Sequence, residues 1–96
     1  GVTFWFGEGN NPSYLSLARD QLEDPDHIYI EAEDQRYGFR VRSLAWSRRD
    51  NTIALQLDPA THHRFHWNGT STCDITVAVA EITGVESTLA HICDPR

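Results

Sequence analysis

Apolar and polar residues alternate with period two along most of the chain from residue 2 to residue 79. Val2, Phe4 and Phe6, then Leu15 and Leu17, then Ile28, Ile30 and Ala32 each mark one face of a short strand, because successive side chains of a strand point to opposite sides. GEGNNPS, residues 7 to 13, separates the first two strands as a turn, since Gly and Asn tolerate positive φ and Pro fixes it negative. Asp20 to Asp26 ends in Asp-Pro-Asp and reads as the connector between the second and third strands, with at most one helical turn.

Residues 28 to 57 read as two successive hairpins. The first pairs Ile30 with Val41 and Ala32 with Phe39 inside, and Glu31 with Arg40 and Tyr29 with Arg42 outside, around Asp34-Gln35-Arg36-Tyr37. A one-residue slip would set Ile30 against Arg42 and turn one apolar face outward. The second pairs Trp46 with Ile53 and Leu44 with Leu55, around Arg48-Arg49-Asp50-Asn51. Val41 and Leu44 both point inward only if the parity changes between them, which predicts a β-bulge near Arg42-Ser43. After a polar stretch with three histidines, Ile75, Val77 and Val79 mark another strand.

The tail changes period. Ile82, Val85, Leu89 and Ile92 form one stripe of a helix from about 81 to 92, which Gly84 weakens by roughly 1 kcal/mol relative to Ala, so packing must hold it. The pattern predicts one α+β domain over residues 1–96. Its mainly antiparallel sheet has about six strands built from hairpins, with a C-terminal helix packed on one face.

Composition agrees: 96 residues, 40% hydrophobic and 23% charged, suit a single small globular domain rather than a disordered chain. Charge adds more. Of the fourteen acids, seven lie in DQLEDPDHIYIEAED, residues 20 to 34, which contains no Arg; the rest of the chain is close to neutral and the total is −6. A net-negative chain repels phosphates, which argues against nucleic acid as a partner and for a basic protein. No window approaches a membrane span, and GVTFWFGEGNN lacks the features of a signal peptide, so a soluble cytoplasmic protein, monomer or homodimer, is expected. Cys73 and Cys93 are too few for a disulfide framework and are expected as reduced thiols, with a single bridge left open.

Four chemistries compete for the acidic stretch and the histidines. An EF-hand needs Gly at the sixth loop position, where a loop starting at Asp24 has Tyr29. Acid/base catalysis needs carboxyls converging in a cleft that drives their pKa values apart, whereas Glu31 and Glu33 fall on the outward face of a strand. His62, His63 and His66 offer an i, i+4 pair for zinc, and with it an alternative reading as a small metal-dependent enzyme, but no completed ligand set accompanies them. No Gly-x-Ser-x-Gly, phosphate loop or dinucleotide fingerprint is present. Trp5, Tyr14 and Tyr29 fall on the outward faces of their strands, and Tyr29 beside acids suits an interface anchor.

The order of motifs is itself informative. Asn11-Pro12-x-Tyr14-Leu15-x-Leu17-x-Arg19, Asp24-Pro25-Asp26, Ile28-Tyr29-Ile30-Glu31, Gln35-x-Tyr37-Gly38, and Leu44-x-Trp46-Ser47-Arg48 to Ile53-x-Leu55-x-Leu57 resemble the immunity protein 10 family of bacterial polymorphic toxin systems. The resemblance covers residues 4 to 58, and 59 to 73 depart from it. It implies a non-enzymatic inhibitor, without cofactor or metal, that binds a cognate toxin protein; many such toxins are nucleases with basic clefts. The partner-binding residues expected are Asp20, Glu23, Asp24, Asp26, Tyr29, Glu31 and Glu33. A generic protein-binding accessory domain is the blander alternative.

Overall fold

The structure is a computed structural model that describes residues 1–9, 13–32, 38–56 and 72–94. Among these are seven strands and one helix: β1 Val2–Trp5, β2 Tyr14–Asp20, β3 Asp24–Ala32, β4 Phe39–Val41, β5 Ala45–Arg49, β6 Thr52–Gln56, β7 Thr72–Thr76 and α1 Ile82–Cys93. The strands form two antiparallel sheets, ordered β1-β2-β3-β4 and β5-β6-β7. The α+β class and the C-terminal helix match expectation, but one sheet of about six strands becomes two sheets with seven.

The split occurs where the alternation changes parity. Val41 and Leu44 are both buried, at 7% and 6% exposure, but residues 42–44 leave one sheet and enter the other instead of forming a bulge within a continuous strand. Such a corner keeps both side chains inward while redirecting the chain. The register irregularity lies instead between β2 and β3, where Arg19 alone on β2 faces residues 25–28 of β3.

Both expected hairpin registers are off by two residues. Ile28, not Ile30, opposes Val41, and Tyr29, not Glu31, opposes Arg40. In the second hairpin Trp46 opposes Leu55 and Arg49 opposes Thr52, leaving Asp50 and Asn51 as a two-residue connection with Asp50 at φ 55°. A shift of two preserves every face, so the inward residues are the expected ones even though their partners differ.

Side chains from both sheets and the helix share one core. Leu15, Leu17, Ile28 and Ile30 come from the first sheet, Ile53, Leu55, Cys73 and Ile75 from the second, and Ile82, Leu89 and Ile92 from α1. The helical stripe is as expected, with Val85 partly buried. Burying each such Leu or Ile contributes about 1.5–3 kcal/mol, enough to hold a helix interrupted by Gly84. The expected strand to Val79 ends at Thr76; Val77 is the last buried residue before the helix and Val79 is 76% exposed. Arg19 fastens the far end of α1, donating from Nε to the Ile92 carbonyl at 2.7 Å and from a terminal nitrogen to the Pro25 carbonyl at 2.5 Å. Among the described residues no helix is long and apolar enough to cross a membrane.

Candidate functional site

Alternation along β1 to β4 sends one set of side chains into the core and the other onto the outer side of the four-stranded sheet. There, cross-strand neighbours form a continuous chain of contacts. Trp5 and Tyr14, directly opposed on β1 and β2, stack with centroids 6.4 Å apart and planes 17° apart. The Tyr14 hydroxyl donates to Glu31 Oε2 at 2.5 Å, and the Tyr29 hydroxyl donates to Glu31 Oε1 at 2.9 Å. One carboxylate thus fixes two phenols. The Arg40 guanidinium lies 5.8 Å from the centre of the Tyr29 ring, within cation–π range.

Arg40 carries the network onward to the acidic turn. Its Nε is 3.1 Å from Asp24 Oδ2, and His27 Nδ1 is 2.8 Å from Asp24 Oδ1. The His27 hydrogen bond is the main cause that holds the Asp24 carboxyl below its ordinary value; the charges on His27 and Arg40 add to it and outweigh the cost of burial. The Tyr29 phenol is pushed up, first by burial and then by its bond to Glu31. A lowered carboxyl is the opposite of what a general acid at neutral pH requires.

The expected acidic connector is a tight turn. β2 runs to Asp20 and β3 begins at Asp24, with only residues 21–23 between them. Asp20 Oδ1 accepts the backbone N–H groups of Leu22 and Glu23 at 3.0 and 2.9 Å, which is how a short Asp side chain stabilises a turn. Asp24, Pro25 and Asp26 therefore belong to a strand rather than to a loop. Arg19, the nearest base in sequence, is engaged by the two carbonyls and pairs with none of these acids.

The expected site residues therefore separate by role. Asp24, Tyr29 and Glu31 join the outer network, and Asp20 shapes the turn. Glu23 lines a shallow depression of about 150 Å³ beside Asp24, His27, Tyr29 and Arg40. Asp26 is exposed and lies in the stretch 25–28 of β3, where the pairing with β2 is irregular; it does not line that depression. Glu23 and Asp26 make no ion pair among the described residues. The expected pairing of Glu31 with Arg40 is replaced by Glu31 with two tyrosines and Arg40 with Asp24. Glu33 and the histidines His62, His63 and His66 lie outside the described residues.

Sequence reasoning missed His27 as a partner of Asp24, although Asp24-x-x-His27 is legible as a spacing. Alternation places Trp5 and Tyr14 outward but does not pair them, because the GEGNNPS turn leaves the β1–β2 register open in the sequence. Comparison with protein-family models, with curated proteins and with solved structures gives no match.

Proposed function

We propose that the chain is an immunity protein that binds and neutralises a cognate bacterial toxin domain through the β2–β3 turn and the adjoining outer face of the first sheet. One observation carries this: an outer sheet face on which aromatic groups are held in place, with the exposed Glu23 in the same depression as Tyr29 and the exposed Asp26 elsewhere on β3, neither carboxylate having a cation of its own among the described residues. Rigid aromatic side chains give contact area at little entropic cost, and uncompensated acids steer a basic partner into register. A nuclease-type toxin with a basic cleft is the partner this face suits. The order of motifs described above supports the same conclusion, since it resembles that of immunity proteins.

The test is protection. Co-expression with a toxin domain encoded beside this chain should restore growth, and the Glu23→Arg, Asp26→Arg double variant should protect less while remaining folded. A wild-type chain that neither protects against nor binds that toxin would end the proposal.

A further inference from the structure

A second surface lies between the two sheets. β1 and β7 line an open groove of about 340 Å³, to which Glu81 and Val85 at the start of α1 also contribute. Phe4, Ile75 and Val77 make its floor apolar.

Hydrogen-bond phase determines which backbone groups face it. Phe6 donates to the Ser13 carbonyl at 2.7 Å, and antiparallel pairs alternate between bonded and non-bonded, so Phe4 with Leu15 and Val2 with Leu17 are bonded pairs. Thr3 and Trp5 therefore turn their N–H and C=O groups away from β2. The 3.0 Å contact between the Thr3 and Ser16 hydroxyls fits the close approach of a non-bonded pair. On β7, Val77 donates to the Asn51 carbonyl at 2.8 Å, which by the same alternation turns the backbone of Thr76 away from β6. Thr3 and Trp5 on β1 and Thr76 on β7 thus have no backbone bond to another strand among the described residues, and all three line one groove.

Edge strands normally carry a charge, a proline or a bulge that discourages pairing. Val2–Trp5 is short, at four residues, which itself blunts an edge, but it carries no charge, proline or bulge. Glu81 is exposed, makes no side-chain capping bond to α1 and has no ion pair among the described residues.

We propose that this groove binds an extended segment of another polypeptide as an added strand, with apolar side chains on the floor and a basic residue toward Glu81. Main-chain bonds to Thr3, Trp5 and Thr76 would supply the affinity, and the floor and Glu81 the selectivity. A second copy of this chain suits the groove less well: two chains of net charge −6 repel, and β1 brings no base to Glu81. The proposal concerns a different surface from the acidic turn and does not depend on the partner of that turn.

The probe is a capped hexapeptide of alternating valine and threonine with a terminal arginine, titrated into isotope-labelled protein and followed by amide NMR and hydrogen exchange. Shifts and slowed exchange are expected at Thr3, Trp5 and Thr76. Replacing the arginine by glutamate should weaken binding about five-fold, the size of one exposed charge contact, and Glu81→Gln should abolish that difference. Thr3→Pro removes an edge donor outside the β1–β2 ladder and should eliminate binding with the fold intact. Unperturbed edge amides at millimolar peptide would overturn the proposal. So would equal binding by Thr3→Pro, or concentration-dependent shifts at these amides without peptide, which would assign the edge to a second copy.

Discussion

Gly38 stands against the ring of Tyr29, and replacing it by alanine tests whether the outer network is a coupled unit. A β-carbon at Gly38 would lie 2.6 Å from Tyr29 Cζ and 2.9 Å from Cε2, and would overlap the hydroxyl oxygen. The ring must therefore move. Moving it breaks the bond to Glu31, about 1 kcal/mol, and the contact with Arg40, about 0.5–1 kcal/mol. Ring burial adds a loss of about 1 kcal/mol, while alanine recovers about 0.5–1 kcal/mol over glycine in extended chain. The net cost is about 2 kcal/mol, or roughly 8–16 °C in melting temperature for a domain of this size. Urea unfolding followed by circular dichroism would measure it. In a Tyr29→Ala background the clash disappears, so Gly38→Ala should become neutral or slightly stabilising, and this change of sign is the signature of the coupling. Spectrophotometric titration should also show the Tyr29 phenol, pushed up by burial and by its bond to Glu31, moving down toward its ordinary value. Equal destabilisation in both backgrounds would refute the geometry.

Other consequences follow from the same contacts. Arg19→Met removes both carbonyl bonds and the favourable charge at the end of α1, and should cost about 2 kcal/mol in urea unfolding. Asp24 has a folded value below its ordinary 3.8, so its contribution is present above the unfolded carboxylate range and is lost as pH falls through the folded value. Wild type should accordingly be more stable than Asp24→Asn at pH 7, with the difference disappearing on acidification in pH-dependent melting. The Cys93 thiol is pushed up to about 11, chiefly by burial against the opposing pull of Arg19; burial and then Asp74 push Cys73 further still. At pH 8 a thiol reagent should modify Cys93 about a hundredfold more slowly than a free cysteine, and Cys73 only after unfolding.

The inward residues were legible because one face of each strand is buried, which makes a one-residue slip prohibitive. A two-residue slip costs the pattern nothing, and both hairpins differ from expectation by that amount. Turn chemistry, not hydrophobicity, decides between such registers. Asp50-Asn51 suits a two-residue hairpin connection, since Asp tolerates the positive φ that Asp50 adopts, a signal that apolar pairing alone does not carry. The parity change between Val41 and Leu44 was visible, yet a bulge and a crossing between sheets leave the same trace in a sequence. The acidic stretch was legible as charge and not as geometry. Asp20 is used by the turn and Asp24 by His27, three residues along the same strand, and by Arg40, which the β3–β4 register brings near. The charge left for a partner is concentrated on Glu23 and Asp26.

The central claim rests on that residue of charge and the ordered face beside it. The most direct measurement is the association rate of the chain with its cognate toxin domain, for wild type and for the Glu23→Arg, Asp26→Arg variant, across a series of salt concentrations. Electrostatic steering predicts a slower rate for the variant, most marked at low salt and converging on wild type as screening shortens to about 8 Å near physiological salt and below that at higher salt. Identical association rates for the two proteins at low salt would contradict the account.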